Sequence, residues 1–208
     1  MNKIELINHT FDVISKVTND NFVTIRNFHH IPEKSSIEND IDVLVPSEYI
    51  NSLTEKLSKV NYRVQIDNLR YLYGAEPHIH YMTNDVHFDI VTGLYYRSSN
   101  DLNTFVSANI ELNESMMGSK VKVDGVWKYQ PSAEDELVHL CCHAIFDKRL
   151  VKESYAKRID YLFKDCDEEK VKWLLDKAFY KVSGTIFKNI KNNKKTEIYN
   201  SYISFIDY

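Results

Sequence analysis

Apolar residues in the first third of the chain recur at two different spacings. Between Ile4 and Val17 they follow a helical period, which predicts a helix. Helical spacing returns in residues 48–60, where Ser47 is the expected N-cap. The intervening and following segments are short and rich in β-branched residues, which is typical of strands. The expected strands cover residues 22–26, 41–45 and 62–66.

Two hairpins are predicted downstream. Residues 78–82 and 86–91 are alternating apolar runs that flank Thr83-Asn84-Asp85, a loop length common in hairpins. Residues 121–129 predict a smaller hairpin that turns at Asp124-Gly125.

The pattern becomes helical after Pro131. Ser132 precedes an apolar run and Asp135 follows three residues later, which resembles a capping box with Asp in place of Glu. Helices are expected at about 133–147, 151–164 and 168–182, with one or two more before the end. The predicted fold class is α/β (α+β), with a mixed-sheet core in residues 1–130. A helical C-terminal region, residues 131–208, is expected to pack on that core.

Composition excludes several classes of protein. The net charge is -4, whereas proteins that coat nucleic acid carry a basic stripe. No apolar run approaches the roughly 20 residues that cross a bilayer, so membrane insertion is not expected. The three cysteines match no zinc spacing, and they predict reduced thiols and a cytoplasmic location.

Two carboxylates stand two residues apart in an apolar strand. Asp40 and Asp42 point to the same face, because side chains alternate along a strand. They repel each other unless a cation lies between them, and Mg²⁺ or Mn²⁺ suits carboxylate oxygens. Taken alone, this short pattern favours a solvated strand end.

Two further features favour a metal site. Asp89 lies within a second apolar strand, where strand pairing could bring it to the first two carboxylates. A polar loop with Lys34, Ser35 and Ser36 precedes Asp40, and it could donate hydroxyl and amide hydrogens to a phosphate.

These motifs resemble the DNA polymerase β-like nucleotidyltransferases. In that superfamily a polar loop precedes a strand bearing D-x-D, and a later strand supplies a third Asp. The segment from Thr24 to Pro32, the run Asn39 to Val45 and the triplet His87-Phe88-Asp89 are similar to uncharacterised bacterial members. His139 and Arg158 lie in a similar helical tail. The resemblance covers about residues 20–165.

The resemblance implies a metal-dependent transfer of a nucleoside monophosphate from an NTP to a hydroxyl of a small molecule or glycan precursor. Asp40 and Asp42 would hold Mg²⁺ against the donor phosphates, and Asp89 would help to activate the acceptor hydroxyl. Arg26 and Lys34 are candidates for neutralising the transferred group. A surface position at the strand end is the alternative for Arg26, and a solvated loop charge is the favoured alternative for Lys34.

One departure from the superfamily pattern keeps other functions open. The Gly-Ser pair that begins the phosphate loop is absent, and Arg26-Asn27 stands at the approximate position. This leaves open whether the chain can bind the triphosphate of a nucleotide donor. The alternatives are a LicD-like phosphotransferase acting on sugars and a catalytically inactive nucleotidyltransferase fold that serves as a binding module.

Histidines at helical spacing form a second candidate for metal binding. His139 and His143 are four residues apart on a predicted helix, but Glu does not follow His139 as it does in the H-E-x-x-H motif. We therefore interpret them as a packing pair.

Overall fold

The structure is a computed structural model that describes residues 1–26, 28, 31–32, 35, 40–60, 62–66, 70–72, 79–98 and 103–206. The chain forms two compact units. We call Met1–Leu94 with Met117–Pro131 the sheet unit, and Tyr95–Met116 with Ser132–Tyr208 the helical unit. Residues 1–130, predicted from the sequence as one core, therefore contribute to both units.

The elements follow one another in mixed α/β order. The first half contains α1 (Lys3–Thr18), β1 (Val23–Thr24), β2 (Ile41–Leu44), α2 (Ile50–Ser58), β3 (Arg63–Ile66), β4 (Arg70–Leu72), β5 (Ile79–Met82), β6 (His87–Val91), β7 (Tyr95–Arg97) and β8 (Thr104–Ser107). The second half contains α3 (Ile110–Gly118), β9 (Val121–Lys122), β10 (Tyr129–Gln130), α4 (Ala133–Cys142), α5 (Glu153–Phe163), α6 (Glu168–Phe179), α7 (Ser183–Lys191) and α8 (Glu197–Ile206). The predicted mixed α/β class is confirmed.

Helix α1 begins and ends with specific backbone partners. The Asn2 side chain accepts a hydrogen bond from the Glu5 N–H, and the Glu5 carboxylate accepts one from the Asn2 N–H, which completes a capping box. The helix ends at Asn19, whose left-handed backbone (φ 52°) is a common helix terminator. Its apolar face is buried in the sheet unit.

A five-stranded sheet forms the centre of the sheet unit, in the order β1-β2-β6-β5-β3. Strands β2 and β6 are parallel, and the remaining neighbours are antiparallel. One sheet face is apolar, and its side chains share a core with α1 and α2. That core includes Ile41 and Val43 of β2, Phe88 and Ile90 of β6, and Phe11, Leu53 and Leu57 of the helices.

The opposite face of the same sheet carries polar side chains, because alternate residues of a strand point to opposite faces. Asp42 alternates with Ile41 and Val43, and Asp89 alternates with Phe88 and Ile90. The sequence of these strands therefore places the carboxylates away from the apolar core.

In the helical unit, α4 starts at Ser132, whose hydroxyl accepts from the Asp135 N–H, as the capping pattern predicted. The α-helix predicted over 133–147 is shorter, because residues His143–Lys148 continue it as a π-helix. The helix predicted over 168–182 ends at Phe179, and a 3₁₀ turn follows at Tyr180–Val182.

Some elements were not predicted from the sequence. These are β4, then β7 and β8, which pair antiparallel with each other, and α3. The hairpin predicted over 121–129 is confirmed as β9 and β10. No helix in the described part of the chain combines the length and apolar character needed to cross a membrane.

Candidate metal centre

The parallel pairing of β2 with β6 sets the geometry of the acidic cluster. Asp42 is the register partner of Asp89, so the two side chains leave neighbouring strands on the same face. Both residues are buried, with Asp42 3% and Asp89 7% exposed. Two buried carboxylates this close repel each other strongly, because little water screens them.

Asp40 completes the cluster from the residue just before β2. It is less buried than Asp42 and faces the same side of the strand. One oxygen from each of Asp40, Asp42 and Asp89 lies within 4.8 Å of the others. A Mg²⁺ ion about 2.1 Å from each ligand can join oxygens up to about 4.2 Å apart, so small side-chain rotations would place all three in one coordination shell.

Arg26 supplies a positive charge to this cluster. Its Nε donates to Asp42 Oδ2 at 2.6 Å and its Nη2 donates to Asp42 Oδ1 at 2.8 Å. Nη2 also lies 3.8 Å from Asp40 Oδ2. The bidentate contact fixes the plane of the Asp42 carboxylate, which a lysine could not do with a single ammonium.

Arg26 reaches Asp42 because β1 ends two residues before it. β1 pairs with β2, and the Ile25 N–H still donates to the Asp42 carbonyl at 3.0 Å. The chain bends at Arg26, which returns its guanidinium to the polar face of the sheet. The predicted strand over 22–26 is correspondingly shorter.

Two histidines extend the polar face beyond the carboxylates. His80 of β5 is the register partner of Asp89, and its Nδ1 lies 3.6 Å from Asp89 Oδ1. His80 Nδ1 also lies 2.9 Å from His87 Nε2. Neither histidine is among the site residues predicted from the sequence.

A signal for His80 is nevertheless present in the sequence. In an antiparallel hairpin the residue numbers of opposite partners have a constant sum. The turn at Asn84-Asp85 therefore pairs His80 with Asp89 directly.

Carboxylate oxygens on one rigid sheet face fit a hard divalent cation. Oxygen ligands suit Mg²⁺ or Mn²⁺, and a few carboxylates leave coordination positions for water and phosphate. The repulsion between Asp42 and Asp89 is an additional reason, since a divalent cation would offset it. Asp40, Asp42 and Asp89 are therefore able to hold such an ion.

No protein-family model matches the chain, and no curated protein matches it. The functional argument therefore depends on the geometry of the site and on the motif resemblance.

The polar loop expected to bind phosphate is described only at Ser35. Its backbone carbonyl accepts from Lys3 Nζ at 3.2 Å, and its buried hydroxyl has no hydrogen-bond partner among the described residues. Lys34 and Ser36 lie outside the described residues. Of the predicted site residues, the structure brings together Asp40, Asp42, Asp89 and Arg26.

The helical unit holds the remaining residues that carried the resemblance. His139 Nδ1 lies 2.8 Å from the Tyr96 hydroxyl. Arg158 donates through Nε and Nη2 to the two Glu136 oxygens, both at 2.7 Å. His143 Nδ1 lies 2.6 Å from Asp147 Oδ2. Each of these side chains thus has a protein partner within the helical unit.

We expect that protein purified without chelator will contain no stoichiometric zinc. Among the described residues, His139 and His143 belong to no group of three or more possible ligands close enough to hold one ion, whereas a structural zinc site needs four. Burial disfavours ionisation of Asp147, but the hydrogen bond and positive charge of His143 outweigh it and lower the pKa of Asp147. Elemental analysis is the measurement. One zinc per chain that is lost in His143→Ala would contradict the packing interpretation.

Proposed function

We propose that the chain is a cytoplasmic, Mg²⁺-dependent nucleotidyltransferase that moves a nucleoside monophosphate from an NTP to a hydroxyl of a small molecule or glycan precursor. The observation that carries the proposal is the convergence of Asp40, Asp42 and Asp89 at the pairing of β2 with β6. The motif resemblance supports it, because that superfamily uses three acidic residues in such positions.

In the proposed reaction the acceptor oxygen bonds to the α-phosphorus, the bond to the β-phosphate oxygen breaks, and pyrophosphate leaves. Bound Mg²⁺ would neutralise charge on the donor phosphates and acidify the acceptor hydroxyl. Asp40 and Asp42 would hold that ion. Asp89 would take part in metal binding and accept the proton of the hydroxyl.

Arg26 has a supporting role in this proposal. Its two hydrogen bonds fix both oxygens of Asp42, so that the carboxylate keeps one orientation. In this proposal the same guanidinium also neutralises charge on the transferred group, which is the role that the resemblance implies for it.

One observation favours a second candidate, the catalytically inactive fold that acts as a binding module. Arg26 covers both oxygens of Asp42 and lies 3.8 Å from Asp40, so an arginine partly serves as the counter-ion that a metal would supply. The missing Gly-Ser pair agrees with this alternative. Metal-dependent nucleotide binding separates the two functions.

We expect at least one NTP to bind more tightly with Mg²⁺ than without it, because the ion bridges carboxylates and phosphates that otherwise repel. Calorimetry with ATP, CTP, GTP and UTP, in Mg²⁺ and in chelator, measures this. Binding of a cytidine diphosphate-alcohol in place of any NTP would favour the LicD-like alternative. Absence of binding by both classes, with Mg²⁺ or Mn²⁺, would favour the inactive fold.

The acceptor follows from the charge of the chain. A polynucleotide acceptor needs a basic track that neutralises phosphates, and a chain with a net charge of -4 is less suited to such an acceptor than to a small molecule. We therefore propose a sugar or another small hydroxyl compound as the acceptor, with no role for nucleic acid.

A further inference from the structure

The helical unit contains a cavity of about 370 Å³. This is within the range of roughly 300–1,000 Å³ in which proteins bind small molecules. All of its described lining residues belong to the helical unit.

Aromatic rings form much of the cavity wall. They are Tyr96, Phe146, Phe179, Tyr180 and Tyr202. Phe146 stacks on Phe179, with ring centroids 5.5 Å apart, and Tyr202 meets Phe146 edge-on at 5.2 Å. Such a group of flat faces and edges favours a planar ring over a bulky aliphatic one.

Lys177 supplies a cation to the cavity wall. Arg97 is also among the described lining residues, but its guanidinium lies over the ring of Phe105, its partner on β8, which does not line the cavity. Lys177 is held by Glu111, at 2.5 Å from Nζ to Oε2, and lies over the ring of Trp173. These contacts fix the position of the ammonium group at the cavity. Glu111 neutralises the charge of Lys177 and uses one of its three N–H donors, so an anion in the cavity would be bound through hydrogen bonds from the other two.

The wall near Arg97 and Phe146 is built by a π-helix. The segment His143–Lys148 supplies Phe146 to the wall and Asp147 to the backbone of β7, where the Arg97 N–H donates to Asp147 Oδ1 at 2.8 Å. π-helical turns are rare and are frequently found at functional sites.

Tyr180 marks the opening of the cavity and has a strained backbone. Its φ of 49° and ψ of -122° lie outside the regions that a residue with a Cβ adopts readily. The residue is 70% exposed although it lines the cavity, so the cavity reaches the surface there. Strain of this kind is concentrated at ligand clamps and active sites.

We propose that this cavity is a binding site for a planar aromatic compound that carries one anionic group, a carboxylate or a phosphate. The rings hold the flat part, and Lys177 holds the anion. The site binds its ligand without covalent chemistry. Cys142 also lines the cavity, and burial above all raises the pKa of its thiol well above the usual range, which disfavours the nucleophilic thiolate.

Calorimetry on the full chain in chelator tests the proposal independently of the metal centre. The probes are 2-naphthoate, 2-naphthyl phosphate, the uncharged 2-naphthamide and cyclohexanecarboxylate. We expect at least one naphthyl anion to bind about tenfold more tightly than the amide and the non-planar acid. Comparison of the affinities for 2-naphthyl phosphate and 2-naphthoate shows which anionic group is preferred. Equal binding of the amide, or no binding of either naphthyl anion at millimolar concentration, would overturn the proposal.

Two variants locate the binding. Lys177→Gln should lower the affinity for the preferred anion about tenfold and leave the affinity for 2-naphthamide unchanged. Lys172→Gln is the matched control, because Lys172 lies on the same helix, pairs with Glu169 and does not line the cavity. An equal loss of affinity in both variants would contradict the assignment.

The second variant, Tyr180→Gly, keeps the test independent of misfolding. Glycine adopts the backbone angles of Tyr180 without a Cβ clash, so Tm should rise by about 2–4 °C while affinity for the aromatic anion falls. Unchanged affinity would show that Tyr180 takes no part in the site, and a fall in Tm would show that its backbone is not strained.

Discussion

Asp89→Asn is expected to weaken Mg²⁺-dependent nucleotide binding by about 100-fold or more, with no loss of thermal stability in chelator. The amide has the shape of the carboxylate but lacks its charge, and magnesium binds neutral amides far less well. Asp89 is buried beside Asp42, so removing its charge also relieves repulsion between them. We therefore expect the Tm in chelator to stay constant or to rise, as is common when a functional charge cluster is neutralised.

The matching change in Asp42 should affect both metal binding and stability. Asp42→Asn should lose the same Mg²⁺-dependent binding, but it should also lower Tm, because Arg26 loses its bidentate carboxylate partner. The expected cost is about 1–3 kcal/mol, reduced by the partial exposure of the Arg26 side chain to solvent.

Asp85→Asn is the control for both variants. Asp85 is exposed in the turn between β5 and β6, on the same hairpin as Asp89. Its substitution should leave binding and Tm unchanged. Calorimetry with the best NTP and thermal unfolding in chelator are the measurements. If Asp89→Asn binds Mg²⁺ and nucleotide as the unmodified protein does, the proposed metal centre is falsified.

Truncation after Gln130 is expected to give an aggregated or molten fragment. The fragment keeps Tyr95–Met116 but lacks the helices that complete the helical unit. Tyr96 would lose His139, the Arg97 N–H would lose Asp147, and Glu111 would lose Lys177.

The size of the effect follows from buried apolar surface. Tyr96, Phe105, Leu112 and Met116 are buried in the complete chain. Exposing four such side chains costs on the order of 10 kcal/mol, at about 1.5–3 kcal/mol each. This is comparable with the whole stability of an ordinary domain, about 5–15 kcal/mol.

A second fragment distinguishes this explanation from a general defect of the shortened chain. It keeps Met1–Leu94 and Met117–Pro131, joined by a flexible Gly/Ser linker in place of the residues between them. We expect it to be more soluble than 1–130, because both parts of the helical unit are removed together. Size-exclusion chromatography and near-ultraviolet circular dichroism are the measurements. Cooperative unfolding of a monomeric 1–130 fragment would contradict the expectation.

Local pattern was sufficient for several elements of this protein. The helical spacing from Ile4 to Val17 corresponds to α1, and the turn at Thr83-Asn84-Asp85 corresponds to the connection between β5 and β6. Ser132 could be recognised as the N-cap of α4 because a cap depends on residues only a few positions away. Helix ends were less predictable, since the π-helix at His143–Lys148 depends on the contacts around it.

The carboxylates show which features the local sequence pattern can predict and which it cannot. The i, i+2 spacing of Asp40 and Asp42 predicts a shared face, because the alternation is a property of a single strand. Placing Asp89 beside them needs the parallel pairing of β2 with β6, which joins residues 47 positions apart in register. The sequence of a single strand does not specify which strand pairs with it. From the sequence alone, Asp89 is therefore only a candidate.

The sequence by itself determined the α/β class, the two faces of β2 and β6, and the three acidic residues worth testing. Alternation and helical period report which side of an element avoids water, and both are local. Tertiary structure decided that Arg26 binds Asp42, that His80 lies beside Asp89, and that Tyr95–Met116 belongs with the C-terminal helices. The tertiary structure also forms the aromatic cavity of the helical unit, because its lining residues are distant from one another in the sequence. These arrangements depend on which distant surfaces bury each other, and that choice is made by packing of the whole chain.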